Sequence, residues 1–259
     1  MELPKEKILE KTINKMQIHF TKTITIIICT LIMSILAISI SVHVHTKKNK
    51  HKSQHAKVKY SSTTTYDGID ISHHNGNVDF TRLPKHIKFI YIKATEGATY
   101  LDPKYKKYVK DARNNRFKIG SYHFFRMTSS AHTQFANIKK NIKKGEQDLI
   151  PMIDVETSDK HSKAELQDSL SVLIKLMEDY YGSKPLIYSS MQIYNTYLAP
   201  KFNNHILYIG RYDSKPPQIN GSPKHIFWQF SEKGKVKGIK RNCDLVKMPK
   251  GFEISTIYK

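Results

Sequence analysis

The chain has 259 residues, with 43 Lys and Arg against 22 Asp and Glu, a net charge of +21. Hydrophobic content of 39% with 10% aromatics describes a folded protein, long enough for one large core, and excludes a disordered chain. The charge favours a polyanionic partner, but no zinc-finger spacing, Walker loop or RNP-type run is present, so nucleic acid gains no support beyond charge.

Residues 1–22 form a charged head. Residues 23–42, TITIIICTLIMSILAISISV, are twenty positions without a charge, enough at about 1.5 Å per residue to cross roughly 30 Å of hydrocarbon. A transmembrane helix or signal anchor is expected there. The competing reading, a cleaved signal peptide, has a shorter apolar core of about 7–15 residues and a small-residue cleavage site, whereas His43, Val44 and His45 follow here. Lys47, Lys48, Lys50 and Lys52 flank the far side, so the positive-inside rule alone does not orient the span. Residues 43–65 are basic and then Ser/Thr-rich, the composition of a flexible linker. Cys29 lies in the apolar run, which leaves Cys243 as a buried small apolar residue and excludes a disulfide framework.

Residues 66–259 carry apolar runs at the spacing of a strand-and-crossover protein. Strands are expected near 66–71, 89–94, 118–124, 149–155, 185–188, 206–210, 225–230 and 243–246. Between them, 103–115, 131–144 and 163–181 show a 3.6-residue period, the last through Leu166, Leu170, Leu173, Ile174 and Met177. The later connectors SKPPQINGSP and SEKGKVKGIKR hold Pro and Gly and no apolar stripe, so they are expected to be loops. Eight strands suggest closure, yet a full eight-helix barrel needs about 250 residues. An incomplete barrel, helical early and loop-connected late, is the expected architecture.

Such a barrel gathers function at the carboxyl ends of its strands. The fourth run, LIPMIDVET, ends in Asp154 and Glu156, which share one face with Cα atoms roughly 6.5–7 Å apart. Two acids held that close repel, and a glycosidase needs this arrangement: one carboxyl protonated for the leaving oxygen, one partner beside it. A lone D-x-E more often caps a helix or pairs with lysines, so its neighbours decide. The other strand ends supply Asp70, Glu96, Tyr122, Tyr188, Trp228 and Asp244, acids and rings that suit a sugar cleft. Taken singly, Tyr122 and Trp228 have core readings, and Glu96 reads as a partner of Lys93.

The blocks YDGIDISHHNGNVDF, FIYIKATEGATYLDPKYKKY, IGSYHFFR, PMIDVET, PLIYSS, LYIGRY and IFWQF, in this order, resemble glycoside hydrolase family 25 lysozymes, the Chalaropsis-type muramidases. The resemblance covers 66–246. It implies an irregular TIM-like (β/α)5β3 barrel and cleavage of the β-1,4 bond between N-acetylmuramic acid and N-acetylglucosamine in peptidoglycan. It further implies Glu156 as general acid, Asp154 as its companion, and Asp70, Tyr122, Tyr188, Trp228 and Asp244 along the cleft; Glu96 is expected there from its place at a strand end. Phe80 stands where a tryptophan is usual, and the last block reads Asp244-Leu245-Val246 rather than D-x-N or D-x-D.

No metal or organic cofactor is called for, since the histidines lack a ligand pattern. The expected partners are peptidoglycan glycan strands and, through the N-terminal helix, a membrane; a monomer with its catalytic domain outside the cytoplasm is expected. Two alternatives remain at this stage. One is a tethered wall-binding module without chemistry, the other a glycosidase of another N-acetylated polymer such as chitin.

Overall fold

The computed structural model describes residues 59, 60, 65–223 and 225–259. The predicted head and span, and nearly all of the predicted linker, lie outside these residues. Among the described residues no helix is long and apolar enough to cross a membrane.

Among the described residues nine strands form a single sheet: β1 (Gly68–Ile71), β2 (Phe89–Glu96), β3 (Tyr100–Leu101), β4 (Ile119–Phe124), β5 (Met152–Asp154), β6 (Leu186–Ser190), β7 (Leu207–Gly210), β8 (Ile226–Gly234) and β9 (Cys243–Lys247). Its order is β1-β9-β8-β7-β6-β5-β4-β2-β3, and the β1–β2 pairing closes eight of them into a barrel, with β3 a short hairpin arm on β2. The pairings from β1 to β2 and on through β8 are parallel, while β9 runs antiparallel to both β8 and β1. All eight predicted strands are barrel strands. The two-residue β3 has too little pattern to be read from sequence.

Three helices cross the outside: α1 (Tyr105–Asn114), α2 (Ala131–Asn141) and α3 (Lys163–Tyr181). The predicted α3 stripe is the observed one, with Leu166, Leu170, Leu173, Ile174 and Met177 all buried. Ser162 opens α3 in a reciprocal capping box with Glu165, and Gly182 ends it at φ 75°, where a side chain would be strained. A fourth crossover, β6 to β7, holds only the three-residue helix α4 (Met191–Ile193) and a wide turn over Tyr194–Leu198. The first connector has one 3-10 turn at His73–Asn75. The helical share is therefore smaller than five full β/α units, and the loop-connected late half is as expected.

Alternation along the strands sorts the core into two layers. Outward residues such as Ile69, Ile92, Ile153, Ile187 and Ile209 pack against the helices. Inward residues Phe89, Tyr91, Met152, Leu186, Tyr208, Phe227 and Val246 fill the barrel, joined by Leu149, Ile150, Met248 and Ile257. The large β2 rings fit because glycines flank them: Gly68 is in register with Phe89 and Gly120 with Tyr91. A Cβ at Gly120 would fall 2.4 Å from the Tyr91 ring, and one at Gly68 would fall 2.2 Å from the Phe89 ring. The apolar filling stops below the carboxyl ends of the strands. Above it the inward positions turn polar.

Candidate active site

Those inward polar positions line a cavity of ≈ 140 Å³ formed by Asp70, Tyr122, Met152, Asp154, Glu156, Tyr188, Tyr212, Gln229, Glu232 and Asp244. Six of the eight predicted site residues meet here: Asp70, Tyr122, Asp154, Glu156, Tyr188 and Asp244. Met152 and Asp154 point inward from β5 while Ile153 and Val155 join the outer core, so Glu156, past the strand end, returns to the cavity. The Val155 amide donates to the Tyr188 carbonyl at 2.9 Å and the Ser189 hydroxyl to the Val155 carbonyl at 2.7 Å, which keeps the alternation going past Asp154.

The two acids differ in setting. Asp154 is 5% exposed and its Oδ1 is buried without a hydrogen-bond partner. Burial pushes its carboxyl well above the usual range, and the neighbouring Glu156 adds to this against the opposing charge of Lys93. Glu156 sits exposed at the mouth. Its carboxyl is also raised, first by desolvation on its inner side and then by Asp70, with Lys93 and the Tyr188 hydroxyl pulling the other way.

Gln229 links the floor to the rim. Its Nε2 donates to Asp70 Oδ2 at 2.9 Å, while its Oε1 accepts from the Tyr188 and Tyr212 hydroxyls, both at 2.8 Å. Tyr212 is 52% exposed, so its ring stands at the opening with its hydroxyl pinned below. Tyr208 supplies a second donor to Asp70 Oδ2, at 2.8 Å. Burial raises Asp70, and hydrogen bonds from Asp244, Gln229 and Tyr208 partly offset that. Asp244 is raised by burial and by the charge of Asp70.

Two predicted residues stand elsewhere. Trp228 precedes Gln229 and therefore projects to the other face of β8. Its ring packs on Tyr60 at 5.3 Å and Phe230 at 5.8 Å, its Nε1 donates to the Arg211 carbonyl, and it lies outside the cavity lining. Glu96 also lies outside the lining and is held by two cations, with Lys93 Nζ at 2.7 Å and the Arg126 guanidinium at 2.7 and 2.9 Å. Burial would raise Glu96, but these partners outweigh it and lower its pKa. Lys93, 8% exposed, thus faces Glu96 while its charge reaches Asp154 and Glu156.

Tyr212 and Gln229 fall at strand ends legible in the sequence but were not singled out as site residues, and Glu232 was missed. Period-2 alternation from the inward Phe227 would have found Gln229; a large aromatic drew attention to the wrong neighbour. His123 is a core histidine, fully buried, with Thr95 Oγ1 at 2.8 Å from Nδ1 and Gln134 Oε1 at 3.0 Å from Nε2. Among the described residues no group of three or more His, Cys, Asp or Glu side chains is placed to hold a metal ion.

A closed barrel that opens onto desolvated paired carboxyls and pinned tyrosines has the arrangement that carbohydrate-cleaving sites use. The family is fixed by comparison: residues 69–239 match the model of glycosyl hydrolases family 25, and the chain belongs to that family as a glycoside hydrolase. It is similar to the autolytic lysozyme of Clostridium acetobutylicum, 33% identical over 191 residues that cover 71% of this chain and 56% of that one. It is 34% identical to an N,O-diacetylmuramidase of Arthroderma benhamiae over 179 residues, 64% of this chain and 76% of the relative. Its structure resembles a family 25 glycosyl hydrolase from Bacillus anthracis with a TM-score of 0.65 and 28% identity, covering 75% of this chain and 94% of that one.

Proposed function

We propose that this protein is a membrane-anchored peptidoglycan hydrolase, an N-acetylmuramidase that cleaves the β-1,4 bond between N-acetylmuramic acid and N-acetylglucosamine. The observation that carries the reading is the pair of desolvated carboxyls, Asp154 and Glu156, lining one cavity of a family 25 barrel. The printed names of the relatives, a lysozyme and a muramidase, supply the substrate class.

In this reading Glu156 is the general acid. Its raised pKa favours the protonated form, and its place at the mouth puts that proton beside a glycosidic oxygen. Asp154 lies deeper, and its unpartnered Oδ1 suits the N–H of the substrate's 2-acetamido group. Held there, the acetamido oxygen attacks the anomeric carbon as the leaving oxygen takes the Glu156 proton. The positive charge that develops beside Asp154 favours its ionised form. Water then opens the cyclic intermediate with retention. Tyr188, Tyr212 and Asp70 hold the sugar, and Asp244 acts with Asp70.

Residues 23–42 serve as the anchor and 43–65 as the tether, with the domain from residue 66 on the outer side of the membrane. Carbonate extraction of membranes and protease access in intact cells test this; release into the medium of a chain shortened at its N-terminus would favour a cleaved signal instead.

The decisive assay is fragment release from purified peptidoglycan, with borohydride reduction and mass spectrometry. Reduced muramic acid ends are expected. Binding without release would make this a tethered wall-binding module, and release from chitin alone would move the substrate to another N-acetylated polymer. Inverted anomers in early products, read by NMR, would remove the acetamido route.

A further inference from the structure

Asp70 and Asp244 stand in register across the antiparallel β1–β9 pair, and both face the cavity. Residues opposed across an antiparallel pair on one face have Cβ atoms about 4.5–5.5 Å apart, which brings the two carboxyls within reach of one another. Two ionised carboxylates that close repel, and among the described residues no lysine, arginine or histidine lines their cavity, so keeping one proton on the pair relieves the repulsion. Asp70 already accepts from the Tyr208 hydroxyl and Gln229 Nε2 on Oδ2, and Gln229 cannot present its other end because Oε1 is occupied by the Tyr188 and Tyr212 hydroxyls. Asp70 is thus built as an acceptor. The hydrogen belongs to Asp244.

We propose that Asp244 is a neutral carboxylic acid donating its proton to Asp70, so that the pair carries one negative charge through neutral pH, and that Asp244 thereby acts as a positioning residue fixing Asp70 as the charge that faces Glu156. The role of Glu156 rests on the function proposed above; the protonation of Asp244 does not. The surroundings agree. Glu232 from β8 and Glu156 beyond β5 both disfavour a charge on Asp244. The Tyr122 hydroxyl from β4 and the Tyr208 hydroxyl from β7 are kept un-ionised by burial and by Asp70. Cys243, next to Asp244, is buried and raised as a thiol, and Tyr212 stays a neutral phenol above the pair. Lys93 and Arg126 instead hold Glu96 outside the lining of the cavity that contains the pair. A carboxyl pair without a cation lowers its repulsion by keeping a proton.

The proton is tested in the full chain in mild detergent, grown with 13Cγ-labelled aspartate and titrated by carbon NMR beside D244E, whose glutamate is unlabelled. The resonance that D244E deletes is expected to keep its protonated position through neutral pH. A midpoint in the ordinary carboxylate range would overturn the proposal. The positioning role is read from the pH profile of kcat/KM on peptidoglycan for D244N and D70N. The amide that D244N introduces still donates and leaves the net charge unchanged, so the basic limb of D244N stays at the wild-type pH whatever its maximal rate. D70N takes the charge of the pair off Asp70, the carboxylate that raises Glu156, and leaves at most a charge on Asp244, so its basic limb moves to lower pH. A D244N limb that moves down with that of D70N would show that Asp244 was ionised. If no peptidoglycan is cleaved by any form, the muramidase reading fails while the NMR titration still decides the proton.

Discussion

Gly210→Ala probes the link between the cavity floor and its rim. Gly210 ends β7 facing inward, and a methyl there would lie 2.9 Å from Tyr188 Oη and 3.2 Å from Gln229 Oε1. Those two atoms are hydrogen-bonded to each other at 2.8 Å, so the methyl lies against the bond. Tyr188 is 6% exposed, so its ring is fixed by packing and its hydroxyl can yield only into the cavity, away from Gln229. Forcing a methyl into a packed site costs about 1–3 kcal/mol. Leaving a buried hydroxyl unpaired costs another ~1–3 kcal/mol, partly overlapping the first, so a net loss of roughly 2–4 kcal/mol is expected. Urea unfolding reads this as a lower midpoint at unchanged slope. Displaced Gln229 also loosens its bond to Asp70, so the pH profile of activity should change with stability. A loss below about 0.5 kcal/mol, the range of an inert surface change, would refute the reasoning.

Glu156→Gln is expected to lose about 10²–10⁴ of kcat, on the order of 3–5 kcal/mol of transition-state stabilisation, with unfolding unchanged because the side chain is exposed; near-normal release of reducing ends would remove Glu156 as the acid. Lys93→Met deletes a charge that lowers both Asp154 and Glu156, so the pKa of Glu156 rises and the basic limb of kcat/KM moves to higher pH; a limb that stays or falls would show that Lys93 does not act on the pair. His123 is buried and its pKa is lowered to about 4, so the folded state holds it neutral while an unfolded imidazole protonates near ~6.5. Its contribution is full above that pH, is lost as pH falls, and levels off below about 4, on the order of 3 kcal/mol in all. His123→Gln should flatten the slope of unfolding free energy across that window, and an equal slope in both proteins would place the acid sensitivity elsewhere.

The eight barrel strands were legible because a strand buried on both faces reads as an apolar run, and each run here is closed by a polar or glycine-containing end. The helices were legible for a different reason: α3 alone shows five periodic apolar positions between a capping box and a glycine. The β6–β7 crossover was not, since Met191–Leu198 makes barely two turns and offers no stripe. Of the site, Asp154 and Glu156 stood out because acids are rare at the end of an apolar run. Trp228 and Gln229 are the instructive exchange. Aromatic character suggested a sugar platform, but face is set by register, and the inward Phe227 assigns the cavity to Gln229 and the outer surface to Trp228. Glu96 was legible in its bland form: the i, i+3 spacing to Lys93 is the salt bridge observed.

A chain of net charge +21 nevertheless places five carboxyls, Asp70, Asp154, Glu156, Glu232 and Asp244, around one cavity. Surrounding these acids with lysines would relieve their repulsion, but every cation brought near lowers the pKa of Glu156 and weakens it as a proton donor. The barrel takes another course. Lys93 and Arg126 are both committed to Glu96, outside the cavity lining, where they temper the Asp154 and Glu156 pair without closing on it. Burial raises both Asp154 and Asp244, and the remaining repulsion is relieved by the proton on Asp244. That leaves Asp70, held by Tyr208 and Gln229, as a charge that raises Glu156. Among the described residues no lysine or arginine lines the cavity, so the cations of the domain can attract an anionic polymer without disarming the acid.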